Sequence, residues 1–365
     1  MEERNYWLGF SMAPGIGPKS LDLLARNFES LKKAWSASES ELLPILKPVL
    51  TSKFLKFRDD FDLERYKKQL EKQKISFITL LDKEYPSLLK SITNPPSVLY
   101  AKGDITLLNS PSIAIVGTRR ITNYGREITE LFAKELASSG LTIVSGMAFG
   151  VDGAAHKGAI DAGGKTIAVL GNGVDVPYPK ENEKLYEEIL DSDGLIISEY
   201  PPGTPPGIGT FPARNRIIAG ISEGVLVTEG AEDSGSLITA NFGLEFERRV
   251  FAIPGPITSS LSKAPLELIE KGARLVTSAE SILKELKFEI QNTKSETNSK
   301  SKNTKFKTEN KIERKILEVL ENEGLYFDEI VKKTGISSQI LGSTLSMMEV
   351  KGIIKNSGSL YSVNN

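Results

Sequence analysis

The chain has 365 residues, 39% apolar and 25% charged, with a formal net charge of -1, the profile of a soluble globular protein of two or three domains. With no cysteine and a single histidine, His156, disulfides, thiolate or multi-histidine metal sites and a cysteine nucleophile are excluded, and any serine triad depends on His156. No window approaches the ~18 uninterrupted apolar residues of a membrane helix, and MEERNYWLGF lacks a basic-then-apolar leader, so a cytoplasmic location without a membrane partner is expected.

Charge is unevenly spread. Residues 1–90 hold 16 basic and 13 acidic side chains, residues 91–290 hold 18 and 25, and residues 291–365 hold 12 and 9. An anion bound by the acidic middle must therefore meet a local cluster and oriented backbone groups, not a basic face.

Residues 1–85 read as helical. Within them SMAPGIGPKSLDLLARNF sets a Pro-Gly-Ile-Gly turn between apolar helices, as in a helix-hairpin-helix or SAM-like element, and a tight turn in a small docking domain fits equally well. From residue 86 to 290 short Ile/Val/Leu runs alternate with helical patterns: SIAIVG (112–117), LTIVSG (141–146), TIAVLG (166–171), GLIISE (194–199), GVLVTEG (224–230) and RVFAIPG (249–255). Strands apolar along their whole length and separated by helices specify an α/β fold with a Rossmann-like, doubly wound, mostly parallel sheet. Residues 291–310 are polar and lysine-rich and read as a flexible linker. Residues 311–365 spell three helices and a hairpin, the outline of a winged helix. The third of these helices carries few charges and a Leu-Met-Met face, so protein and DNA are open as its partners.

In a doubly wound sheet ligands bind beyond the carboxyl ends of the strands. The loops there are GTRRITNYG, SGMAFGVDG, GNGVDVPYP, SEYPPGTPPGIGTFPARNR and TEGAEDSGSL. Glycine beside a small or polar residue, just before a helix, presents N–H groups to phosphate without needing many cations. Nucleotide motifs fail: GTRRIT replaces G-x-G-x-x-G after the first run, and Gly164-Lys165-Thr166 lacks its upstream glycine and enters a strand. No cofactor is expected. Asp152 and His156, four apart, and Ser234 and Ser236 are weak catalytic candidates, because capping and phosphate contact explain them as well. Glu199 and Glu229 end strands where they can pair with arginines.

Arg119, Arg120 and Arg126, with Arg214 and Arg216, belong to one end of the sheet; Arg248 and Arg249 precede a strand and belong to the other. Pro212 suits a first helical position. Arg214 and Arg216 then lie about 200° apart, from ~100° per residue, so one is expected to support the fold through a carboxylate and the other to reach a phosphate, with Arg214 favoured for the phosphate. Phe211, ahead of the helix, reads as a hydrophobic staple or a stacking platform for a base, the arginines favouring the latter.

The series GTRRITNYG, SGMAFGVDGAAHKGAI, LGNGVDVPYPKEN, SEYPPGTPPGIGTFPARNRIIAGIS, TEGAEDSGSLITANFGLEFERRVFAIPGP and EKGARLVTSAESIL resembles, in order and spacing, the DNA-processing protein A family (DprA/Smf). The resemblance covers about residues 80–285. It implies a non-enzymatic homodimer that binds and protects incoming single-stranded DNA and helps load the RecA recombinase during natural transformation. It also implies a DNA site on Gly117, Thr118 and Arg119; on Ser145, Gly146, Gly150 and Asp152; on Phe211, Arg214, Asn215 and Arg216; and on Ser234, Gly235 and Ser236. Ala264 and Leu266 stand where the family usually has glycine and asparagine, so that loop is expected to be shaped differently. A rival reading is a nucleotide phosphoribohydrolase-type enzyme, whose Gly-Gly-x-Gly-Thr loop GIGT (207–210) resembles without the glutamate that should follow.

Overall fold

A computed structural model of the protein describes residues 2–287, 311–320, 324–350, 353–357 and 360–363. The chain divides into two compact units, residues 1–293 and 294–365.

The first unit opens with six helices, α1 (Glu3–Met12), α2 (Pro18–Asn27), α3 (Leu31–Ser36), α4 (Glu39–Leu46), α5 (Pro48–Asp60) and α6 (Leu63–Lys72). Trp35 joins them: its ring meets Phe10 edge-on at 5.1 Å and Phe54 edge-on at 5.4 Å, arrangements that suit the aromatic quadrupole. The Pro-Gly-Ile-Gly turn links α1 and α2, with Gly15 at φ +85° and Ile16 buried.

The region read as wholly helical contains a strand, β1 (Ser76–Thr79), paired antiparallel with β2 (Val98–Gly103). SFIT is too short for its alternation to stand out beside a long helical run. The short helix α7 (Ser87–Lys90) follows β1. Then come β3 (Ser112–Val116), α8 (Asn123–Ser138), β4 (Thr142–Ser145), α9 (Val151–Asp161), β5 (Thr166–Val169), α10 (Glu183–Asp191) and β6 (Leu195–Ser198). After β6 the chain continues through α11 (Thr210–Ile221), β7 (Gly224–Val227), α12 (Gly235–Glu245), β8 (Arg249–Ala252), α13 (Lys263–Glu270), β9 (Arg274–Leu275) and α14 (Ala279–Glu285). All six predicted strands form, within one to three residues of their predicted ends.

The nine strands run β1-β2-β6-β5-β4-β3-β7-β8-β9. Pairing is parallel from β6 to β9 and antiparallel at β1 and β2. Strand order reverses between β3 and β7, the switch point at which such sheets open a crevice. Val116, Val144, Val169, Val225 and Val227 pack on one face with Ile217 and Ile218 of α11 and Ala240 of α12. Ile113, Ile115, Ile143 and Phe251 pack on the other with Phe132 and Leu136 of α8 and Ala155 and Ala159 of α9. The helical region joins the sheet through a third cluster, in which Leu8, Phe10 and Leu70 lie with Tyr100, Leu170 and Ile196.

The second unit holds α15 (Lys311–Leu320), β10 (Leu325–Tyr326), α16 (Phe327–Thr334), α17 (Ser338–Val350), β11 (Ile354–Ser357) and β12 (Leu360–Val363), with strand order β10-β12-β11. Leu341, Leu345 and Met348 of α17 are buried with Ile316 and Ile330. The apolar face that left a protein partner open is thus largely this unit's own core. The predicted linker, 291–310, lies outside the described residues.

Candidate nucleic-acid interface

At the switch point, where a Rossmann sheet ordinarily offers a helix N-terminus to phosphate, this chain places a carboxylate of its own. Glu229, just past β7, accepts from the Thr122 N–H at 3.0 Å and from the Thr122 hydroxyl at 2.7 Å. Thr122 in turn caps α8 by accepting from the Gly125 N–H at 2.9 Å. The positive end of α8 is therefore satisfied internally. The main chain closes the same corner, with the Thr118 N–H donating to the Glu229 carbonyl at 2.7 Å. Glu229 was expected to pair with an arginine; the nearer donors of the helix cap take it instead.

The second loop is built around Asp152. This buried carboxylate accepts from the Gly146 N–H at 3.2 Å and the Ala148 N–H at 3.3 Å, folding SGMAFG back onto the first turn of α9. Burial pushes the Asp152 carboxyl up, against the opposing pull of Arg214 and the loop amides. Asn182 fastens the same loop from outside, donating to the Met147 carbonyl at 2.9 Å and the Ala148 carbonyl at 3.3 Å. Gly150 has φ +77° and ψ -122°, a conformation open to glycine alone. A methyl there would lie 2.2 Å from the Thr118 carbonyl oxygen and 2.8 Å from the Arg119 backbone.

FPARNR sits differently from its sequence expectation. Helix α11 starts at Thr210 after Gly209, so Phe211 belongs to the first helical turn, Pro212 is its third residue, and the staple position would fall on Ile208. Arg216 meets Glu199 in a two-pronged pair at 3.0 and 2.7 Å, the predicted carboxylate partner. Arg214, favoured for phosphate, points inward. It is 4% exposed and donates to the carbonyls of Gly146, at 2.8 Å, and Val169. Its Nε donates to the Asn215 side-chain oxygen at 3.2 Å. Burial lowers its pKa to about 10, which leaves it cationic at neutral pH. Turned inward, its guanidinium supplies donors to carbonyls at the ends of β4 and β5, where a buried acceptor needs one.

Phe211 is half-buried. Its ring stacks on Tyr178 at 5.4 Å with an interplanar angle of 23°, and the Arg119 guanidinium lies 5.6 Å from its centroid, within cation–π range. Tyr178 is the more exposed ring, at 40%, and the sequence reading missed it because GNGVDVPYP drew attention to its glycines. Arg119, Arg120 and Arg126 are exposed and have no carboxylate within ion-pair distance among the described residues. The fifth loop ends in Ser234, which accepts from the Ser236 N–H at 3.3 Å and lies 2.8 Å from the Ser236 hydroxyl. Gly235 beside it is exposed, and a side chain there would meet open space. The Asn215 amide donates to the Gly235 carbonyl at 3.3 Å, tying α11 to the start of α12.

The predicted site thus separates into two sets. Gly117, Arg119, Gly150, Phe211, Asn215, Ser234 and Gly235 are exposed or half-buried at one end of the sheet. Thr118, Ser145, Gly146, Asp152, Arg214, Arg216 and Ser236 are buried and build the loops from within; the Ser145 hydroxyl, for instance, donates to the Ile115 carbonyl at 2.6 Å. His156 lies in the core, where Nδ1 meets the Thr166 hydroxyl at 2.7 Å, and that hydroxyl donates to the Ile143 carbonyl at 2.7 Å. Thr166 therefore accepts from Nδ1–H. Burial lowers the His156 pKa to about 3, so the ring is neutral. Ala264, the departure noted in the sequence, is buried, donates its N–H to the Gly230 carbonyl at 2.9 Å and leaves its methyl against Gly230. Arg248, at the other end of the sheet, donates to the Leu88 carbonyl at 2.8 Å. No group of three or more His, Cys, Asp or Glu suited to a metal occurs among the described residues, and no described helix is long and apolar enough to cross a membrane.

Residues 76–287 match the protein family described as DNA recombination-mediator protein A. The DNA processing protein DprA of Bacillus subtilis is 42% identical over 266 residues, covering 70% of this chain and 89% of its own length. Among solved structures, DNA processing protein A of Streptococcus pneumoniae superposes with a TM-score of 0.69 at 38% identity, over 78% of this chain and 99% of that one. DNA processing protein A of Helicobacter pylori, whose structure is described as showing a single-stranded DNA binding mode, superposes with a TM-score of 0.52 at 35% identity, over 58% of this chain and 95% of that one.

Proposed function

Because this chain belongs to the DNA-processing protein A (DprA/Smf) family of DNA recombination mediators, we propose that it binds single-stranded DNA at the carboxyl end of its central sheet. The observation that carries this reading is the convergence there of Arg119, which has no ion-pair partner among the described residues, with the stacked Phe211 and Tyr178 rings and the open Gly235 corner. Phosphates sit on Arg119 and at Gly235, the exposed first residue of α12. A base extends the Tyr178–Phe211 stack, a contact that tolerates any sequence. The buried set, Arg214 and Asp152 foremost, holds these loops in place without touching the strand. The relative from Helicobacter pylori, with its single-stranded DNA mode, supports the ligand class.

The wider role follows from the family: a cytoplasmic homodimer that protects incoming single strands and helps load the RecA recombinase during natural transformation, without catalysing a reaction of its own. Asp152 and His156, the pair considered for catalysis, point to the loop amides and to Thr166, which favours binding over chemistry. Base release from nucleoside monophosphates on incubation with the protein would overturn that reading. Light scattering reads the dimer mass directly, and strand-exchange assays with the recombinase read the loading role.

Arg119→Ala tests the site. Affinity for single-stranded DNA is expected to fall similarly for all base compositions, and the slope of log affinity against log salt to flatten by about 0.7, one phosphate contact being lost. Fluorescence anisotropy at several salt concentrations checks it, and unchanged affinity and slope would remove Arg119 from the interface.

A further inference from the structure

The rim carries more aromatic surface than the Phe211 corner uses. Phe149, in the loop after β4, is 43% exposed, and Tyr124, in the first turn of α8, is 44% exposed. Large side chains are left in water only singly unless a surface has a use. These two lie at the same end of the sheet as the site. Tyr178 stacks on Phe211 and Arg119 lies over Phe211. Arg119 then abuts Gly150, the residue after Phe149, and the chain runs from Arg119 through Arg120 into α8, where the Tyr124 hydroxyl reaches the Pro254 carbonyl at 3.5 Å. The loop after β8 that Tyr124 touches carries Ile257, 88% exposed. The series follows sheet order, β5, β4, β3 and then across the switch point to β8, with neighbouring strands about 4.8 Å apart. One further cation accompanies it: Arg120 is exposed and has no ion-pair partner among the described residues. Aromatic rings alternating with unpaired arginines form the surface that a flexible polyanion with stackable bases fits, the rings taking bases and the guanidinium groups taking phosphates.

We propose that Phe149 and Tyr124, with Arg120, form a second stretch of single-stranded DNA track leading from the Phe211 corner across the switch point. This rests on the proposed single-stranded DNA site and extends it. The corner holds a short piece of strand, and the track engages only a strand long enough to leave the corner toward α8. The track is indifferent to sequence and dependent on bases.

The test compares labelled oligothymidylates of about 5 and about 30 residues, chosen to lie at the lower end of and above the usual range of site sizes, on the full chain. In the Phe149→Ala/Tyr124→Ala protein, affinity for the long strand is expected to fall about 5- to 150-fold for each stacked base lost, while the short strand binds as to the unsubstituted protein. Phe149→Tyr/Tyr124→Phe should restore long-strand binding, since it keeps both rings. A long strand with abasic sites outside its first few residues should bind the unsubstituted protein as weakly as the long strand binds the double variant. An unchanged long-strand affinity overturns the track, as does an equal loss on both lengths, which would make the two rings part of the corner or of the scaffold. Arg119→Ala separates this result from the parent reading: if it alters neither length while the double variant weakens the long strand, the corner fails and the track stands.

Discussion

Arg214→Ala is expected to destabilise the first unit by about 3–5 kcal/mol, the usual cost of removing one member of a buried charged network. Four groups lose their partner together, the Asn215 side-chain oxygen among them. The carbonyls of Gly146 and Val169 no longer have a donor, and Asp152 loses the cation that offsets its burial. Urea denaturation followed by circular dichroism reads the change as a lower midpoint with an unaltered slope. Arg214→Lys should recover part of it, because an ammonium keeps the charge but cannot span two carbonyls and Asn215 as a planar fork does. A contact to phosphate alone would give the opposite pattern, lost DNA affinity with stability within 1 kcal/mol of the parent (roughly the ordinary surface range). That pattern would refute the inward, structural placement.

Gly150→Ala is expected to damage both fold and binding. The φ and ψ at this position cost an alanine about 1–3 kcal/mol, and the added methyl would drive into the Thr118 carbonyl and the Arg119 backbone. The turn carrying Arg119 must then shift, which moves its guanidinium off the Phe211 ring. The expected outcome is a lower denaturation midpoint together with weaker single-stranded DNA binding, even for short oligonucleotides. Normal affinity in the folded variant would mean that Arg119 does not depend on this contact.

Much of the architecture was legible because the signals were long and repeated. Uninterrupted Ile/Val/Leu runs between helical patterns identify strands buried on both faces, and each such run is a strand of the parallel part of the sheet. β1, β2 and β9 escaped: four residues and two residues give periodicity nothing to work on, and β2, VLYAKG, lies ahead of the alternation of strands and helices that begins at residue 112. The site was legible as a set of loops, because strand direction alone decides which loops share an end. The side-chain roles within those loops were less so. A helical wheel separates Arg214 from Arg216 but does not reveal that both directions lead into protein. One leads to Glu199, the other to strand-end carbonyls whose need for a donor exists only once the sheet has formed. Glu229 is similar: its bond to Thr122 links residues 107 apart, beyond any local pattern. Tyr178 and Phe149 were passed over because each sits among glycines and prolines that read as turn residues.

The cluster that joins the amino-terminal helices to the sheet bears on how the protein comes apart. Leu8, Phe10 and Leu70 share a core with Tyr100 and Ile196, the Ser11 hydroxyl lies 2.8 Å from the Tyr100 hydroxyl, and Arg4 donates to the Phe77 carbonyl at 2.9 Å. The amino-terminal helices and the β2–β6 side of the sheet therefore share an apolar cluster, and their opening is coupled. Heating should melt helices and sheet in a single transition, with amide exchange in α1 and β2 slowing together. A chain cut at residue 85, where composition alone would divide it, would bare Tyr100 and Leu170 to water and separate β1 from its partner strand, leaving the edge of β2 open to pairing between molecules.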